Sequence, residues 1–220
     1  MVDKECVVQE ILKHKIIAIV RGIYGEKCVK LAQALHEGGV NLLEVTFDQS
    51  NPQSPQETAD TLQQLGRVLG GKMLFGTGTV LSAQQVDISA NAGAQFIISP
   101  NTDESVIAQT LKHGLVSIPG AMTPSEIVKA HNLGADFVKL FPAAQLGFDY
   151  VKSVRAAINH VKLLATGGVD RDNIAGFLKL GMVGAGVGSN LCSKTLVNEG
   201  RFDEITATAK AYVAALENDK

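Results

Sequence analysis

Asp136-Phe137-Val138-Lys139-Leu140-Phe141-Pro142 is a short apolar run that holds one lysine and ends at a proline. Its length and its aromatic and β-branched content predict a buried strand over 136–140. Apolar flanks strip water from an ammonium and favour the neutral amine. A neutral lysine is a nucleophile toward carbonyl carbon, the property that Schiff-base chemistry needs. The alternative is a strand-end lysine that carries its charge out to solvent along an apolar stem.

Outward from this stretch, short apolar runs alternate with longer amphipathic segments, the pattern of repeated βα units around a parallel sheet. The predicted strands are 16–20, 41–47, 72–76, 95–99, 115–118, 136–140, 162–165 and 183–187. The predicted helices are 26–37, 54–69, 82–91, 103–113, a segment from Thr123 to about Leu133, 148–160, 170–180 and 201–217, with an extra N-terminal helix over 4–14. Ser54 is expected to cap its helix, with Pro55 at the first helical position. Thr123-Pro124-Ser125-Glu126 has the spacing of a capping box. Pro119-Gly120 is expected to end the fifth strand, and Asp170 or a neighbour to cap the helix after the seventh.

Eight such units fit a (β/α)8 TIM barrel. An open dinucleotide-binding sheet would have fewer strands and a G-x-G-x-x-G turn after the first, which Val20-Arg21-Gly22-Ile23-Tyr24 lacks. No linker, low-complexity segment or internal repeat interrupts the pattern, so residues 1–220 read as one barrel domain.

The formal net charge of -2 offers no basic field for nucleic acid and no polybasic membrane patch, so the expected partner is a small molecule. Three scattered cysteines, Cys6, Cys28 and Cys192, suggest free thiols in a reducing compartment, and the acids in Met1-Val2-Asp3-Lys4-Glu5 are unlike a signal peptide. The expected location is cytoplasmic, with no membrane segment. His14, His36, His113, His131 and His160 all fall in or beside predicted helices, without ligand spacing. They read as surface histidines, and no metal or other cofactor is expected.

Barrels of this kind carry chemistry where strands meet the following loops. Those positions hold Arg21, Glu44 with Thr46, Thr77 with Thr79, Pro100, Pro119, Lys139 with Phe141, Thr166-Gly167-Gly168, and Gly186 to Ser189, with Asp48 just beyond. Strand parity puts Glu44 on one face with Leu42 and Thr46. A glutamate inside a barrel strand is costly unless paired or functional, so Glu44 is either half of a buried ion pair or a general acid/base. Glycine turns after strands seven and eight suit a phosphate held by backbone N–H groups, or are tight turns only.

The ordered motifs Ile19-Val20-Arg21-Gly22, Leu43-Glu44-Val45-Thr46, Gly76-Thr77-Gly78-Thr79-Val80, Ile98-Ser99-Pro100, Ile118-Pro119-Gly120, Lys139-Leu140-Phe141-Pro142 and Thr166-Gly167-Gly168-Val169 span nearly the whole chain. In these the sequence resembles the 2-keto-3-deoxy-6-phosphogluconate / 4-hydroxy-2-oxoglutarate aldolases, a class I pyruvate-lyase family. The resemblance implies a Schiff base on Lys139 and proton shuttling by Glu44. Arg21 and Thr79 would hold the carboxylate and nearby oxygens, and Phe141 would pack on the intermediate. Gly167, Gly168 and Ser189 would take the phosphate, and Thr166, Gly188 and Pro100 would also bind the substrate.

The resemblance further implies a homotrimer, no cofactor and a place in carbohydrate metabolism of the Entner–Doudoroff type. Two positions depart from the pattern. Asp48 stands where some members carry arginine, and Ala144 where many carry glutamate. The reaction expected is cleavage of a 2-keto-4-hydroxy acid to pyruvate and an aldehyde, glyceraldehyde 3-phosphate or glyoxylate. The alternatives are a phosphate-binding barrel isomerase or synthase, and a non-catalytic protein that binds a sugar-acid phosphate.

Overall fold

The computed structural model describes residues 3–217; Met1 and Val2, part of the stretch compared with a signal peptide, lie outside it, as do residues 218–220. After α1 (Lys4–His14), the chain runs β1 (Ile16–Val20), α2 (Gly25–Glu37), β2 (Leu42–Thr46), α3 (Ser54–Leu69), β3 (Leu74–Gly78), α4 (Ala83–Asn91), β4 (Phe96–Ile98) and α5 (Glu104–Lys112). It continues with β5 (Val116–Ile118), β6 (Gly120–Ala121), α6 (Pro124–Asn132), β7 (Val138–Leu140), α7 (Ala143–Ala157), β8 (Leu163–Thr166), α8 (Ile174–Lys179), β9 (Gly184–Val187), α9 (Lys194–Glu199) and α10 (Phe202–Glu217).

Every strand pairing is parallel, in the order β5-β4-β3-β2-β1-β9-β8-β7-β6. The two ends of that order, β5 and β6, are one strand divided at Pro119, which closes the sheet into a (β/α)8 barrel. β5 ends at Ile118, before Pro119, as expected, and the chain resumes pairing in β6. Pro119 has no N–H to give, but its carbonyl accepts from the Lys139 N–H at 2.8 Å, so the ladder to β7 survives the proline.

Buried strands of Ile, Val and Leu give two cores. Ile17, Leu42, Phe96, Ile98, Val116, Ile118, Phe137 and Leu164 fill the barrel, joined by Val7, Val8 and Ile11 of α1. Their strand neighbours Leu43, Val45, Val138, Leu140 and Ala165 face the helices. The extra helix therefore plugs the end of the barrel away from the βα loops.

The Thr123 capping box is present, with both reciprocal bonds made. Ser54 is not a cap: it is the first residue of α3, and its hydroxyl accepts from the Asp48 N–H at 2.7 Å. The third strand lies two residues later than expected, and α7 begins at Ala143 with a break at Gly147, φ 80°. Asp170 Oδ1 accepts from the Asp172 and Asn173 N–H groups, but α8 starts only at Ile174. Helix α9 was not expected; the Ser193 hydroxyl caps it by accepting from the Leu196 N–H.

Candidate active site

Lys139 is the middle residue of β7, and alternation points it inward with Phe137 while Val138 and Leu140 pack outward. It is 3% exposed, and its ammonium lies 5.1 Å from the centre of the Phe141 ring. Glu44, in β2, is 1% exposed. In the closed circle of eight strands, β2 and β7 stand four places apart, so the two side chains approach from opposite walls.

Both oxygens of Glu44 are buried without a hydrogen-bond partner. A carboxyl group normally finds donors when buried, and here no protein group supplies one. Gly78 of the neighbouring strand clears its place, since a methyl group there would overlap the carboxyl. Burial raises the Glu44 pKa above the ordinary carboxylate value, opposed by the charges of Lys139 and Arg21. Burial likewise lowers the Lys139 pKa, with Glu44 opposing and Arg21 assisting. Both shifts favour the neutral forms, and a neutral lysine is the reactive one.

Arg21 follows β1 and is exposed, acting on both groups through its charge. Thr79 follows β3 at φ 55°, a rare conformation for a β-branched residue. Two glutamines that the sequence did not mark hold it there. Gln49 Nε2 donates to the Thr79 carbonyl at 2.7 Å, Gln85 Nε2 donates to Gln49 Oε1 at 3.1 Å, and Gln85 Oε1 accepts from the Leu81 N–H at 2.7 Å. No local pattern flags two glutamines drawn from separate segments.

Thr166 is buried at the end of β8. Beyond it, Gly167 and Gly168 have φ of 90° and 72°. Their carbonyls accept from the Ala144 N–H at 3.0 Å and from Asn173 Nδ2 at 2.9 Å. A methyl group on Gly167 would stand 3.0 Å from the Phe141 ring, which joins this turn to the lysine. The Gly188 carbonyl similarly accepts from the Leu191 and Cys192 N–H groups, leaving Ser189 exposed at the rim. Pro100 is half-buried at the end of β4, its carbonyl packed so closely on Gly120 that no side chain fits there.

Among the other residues expected at the mouth, Thr77 turns outward, its hydroxyl donating to Ser89 of α4, while Thr46, on the Glu44 face, donates its hydroxyl to the Val20 carbonyl. Asp48 is turned into its own loop, where Oδ1 accepts from the Ser50 N–H and hydroxyl at 2.9 and 2.6 Å. The Ser50 hydroxyl and amide hold its pKa below the ordinary carboxylate value.

The histidines stand away from Lys139 and Glu44, but only His160 is exposed; the other four are half-buried. His113 pairs with Asp87 at 2.6 Å, and the His131 and His160 rings meet edge to face. These contacts link separate segments, and so were not visible as ligand spacing. Among the described residues, no group of three or more His, Cys, Asp or Glu could hold a metal ion, and no helix is long and apolar enough to cross a membrane. A cavity bordered by Lys4, Val7, Phe75, Gln95 and His113 lies at the α1 end, away from Lys139 and Glu44.

The family model for KDPG and KHG aldolases matches residues 7–208. The chain belongs to the KDPG and KHG aldolase family. It is thus a class I aldolase, an aldehyde-lyase. The aldolase is 32% identical over 206 residues to the 2-dehydro-3-deoxy-6-phosphogalactonate aldolase of Escherichia coli K12, covering 93% of this chain and 98% of that one. It is 34% identical over 197 residues to the 2-dehydro-3-deoxy-phosphogluconate aldolase of Treponema pallidum, covering 89% and 90%. A KDPG aldolase structure from Legionella pneumophila, with pyruvate captured as a covalent carbinolamine, superposes with a TM-score of 0.80 at 28% identity, covering 90% of this chain and 93% of that one.

Proposed function

We propose that Lys139 is the Schiff-base lysine and Glu44 the proton shuttle of an aldolase that cleaves a 2-keto-4-hydroxy acid. The observation that carries this reading is the pair itself: a buried lysine disposed to be neutral, opposite a buried carboxyl with no protein partner. The Lys139 amine attacks C2, and the neutral Glu44 carboxyl gives its proton to the departing water, which leaves the protonated imine and a Glu44 carboxylate. Glu44 removes the C4 hydroxyl proton as the C3–C4 bond breaks; the electron pair runs into the imine nitrogen, and the aldehyde departs. The remaining enamine is protonated at C3, and hydrolysis frees pyruvate and the lysine.

Arg21 and Thr79 hold the carboxylate, Phe141 packs on the imine, and Pro100 forms wall. Thr166, Gly167, Gly168, Gly188 and Ser189 receive the far end of the substrate, where pinned carbonyls hold the two turns in shape. Residues 1–220 act as one domain. The family resemblance and the three free cysteines support a cytoplasmic homotrimer, whose mass in solution light scattering would report.

Incubation with pyruvate and sodium borohydride tests the assignment. A gain of about 72 Da on the peptide containing Lys139 is expected, one reduced pyruvate imine. An adduct on another lysine, or none on folded protein, refutes it.

A further inference from the structure

The cavity at the α1 end has no part in the roles above. It holds about 640 Å³, within the range of small-molecule pockets. It lies where α3, α4 and α5 finish, and buried Val7, Met73, Phe75 and Leu115 give it an apolar lining. Gly66 borders it too, and the fold gives no reason for a glycine there. It sits inside α3, where glycine weakens a helix; its φ is not left-handed, and a methyl group on it would meet nothing within 4 Å.

The polar side chains around the cavity are donors. Lys4 pairs with Asp136 at 3.0 Å, and Asp136 itself stands behind the lining. Gln95 Oε1 accepts from the Phe75 N–H at 2.9 Å, while its Nε2 has no partner among the described residues. His113 Nε2 is held by Asp87, which also stands behind the lining. Among the described residues no acidic side chain borders the cavity. Helix C-termini ordinarily favour cations, but here the Gly66, Ala90 and Leu111 carbonyls already accept from the Gly70, Gly93 and Gly114 N–H groups at 3.1, 3.1 and 2.9 Å.

We propose that this cavity is a second ligand site, which takes a small amphipathic carboxylate with its apolar body against Phe75 and Leu115 and its charge on Lys4 and the Gln95 amide. The site stands apart from the aldolase reading, whose residues lie at the other end of the barrel.

Titration calorimetry with benzoate, an aromatic ring bearing one carboxylate, tests it. The parent should bind benzoate with a Kd of about 1 mM or tighter, and benzyl alcohol, the uncharged analogue, at least about tenfold more weakly. Lys4→Met should weaken benzoate at least about tenfold, and Lys4→Arg should keep most of the affinity. Gly66→Leu puts a side chain at the cavity border and should weaken benzoate by as much, while melting higher than the parent because leucine suits a helix better. Melting curves establish that each variant is folded. No binding to the parent overturns the proposal. Undiminished affinity in folded Lys4→Met or Gly66→Leu also overturns it, because benzoate at the catalytic mouth would ignore both residues.

Discussion

Gly78 and Glu44 share one space: a methyl group at position 78 would overlap Oε1, Cδ and Cγ of Glu44. The two stand on neighbouring strands, and the glycine lets a carboxyl group lie inside the wall of the barrel with no partner on the wall itself.

Gly78→Ala should therefore act on Glu44. Over-packing costs about 1–3 kcal/mol of stability, and displacement of a general acid/base lowers kcat by about 10²–10⁴. Gly76→Ala is the control, because its methyl group would overlap Phe96 in the apolar barrel core rather than the carboxyl. It should lose similar stability and keep far more of its turnover. Measured kcat and denaturation midpoints for both variants check this; equal turnover losses would show that Gly78 has no particular link to the site.

Lys139 and Glu44 were legible because a charge inside an apolar strand is improbable enough to need a reason, and strand parity shows which face carries it. The barrel was legible from alternation, and the glycine turns from their place after the last two strands. What was hidden depends on the closed fold. Pro119 ends β5 as a proline should, but that its carbonyl then carries the pairing on to β7 depends on the closed sheet. Helix α9 has six residues, too few for periodicity to show. Gln49 and Gln85 are ordinary polar residues until their separate segments meet at Thr79.

Lys139→Met should abolish the pyruvate adduct and leave the protein at least as stable. Burial holds the folded-state pKa of Lys139 below the ordinary lysine value, so the unfolded chain binds its proton more readily. The parent then loses stability as pH falls from the unfolded pKa toward the folded one, and reaches a plateau below it. Methionine removes that loss, and its advantage should grow over the same interval. Thermal melts at several pH values measure it; a variant less stable than the parent throughout would show that the ammonium is held by stabilising contacts.

Imine formation with pyruvate should have an acid limb set by Lys139, and two substitutions should move it in opposite directions. The Glu44 charge raises the Lys139 pKa, so Glu44→Gln shifts the limb to lower pH. The Arg21 charge lowers that pKa, so Arg21→Met shifts the limb to higher pH. Borohydride trapping across a pH series reads both. Displacements of the same sign would mean that the limb belongs to another group.

Thr79 is held in a left-handed conformation that costs about 1–3 kcal/mol for a residue of its kind, and Gln49 bonds its carbonyl. Thr79→Gly should raise the melting temperature by relieving that strain, while the KM for the keto acid rises with loss of the hydroxyl. Gln49→Ala should raise KM about tenfold in the parent, the worth of one well-placed hydrogen bond. In the Thr79→Gly background it should add little, because glycine adopts the conformation unaided. A double-mutant cycle on KM measures the coupling. Strict additivity would mean that Gln49 serves the site by some route other than the backbone of Thr79.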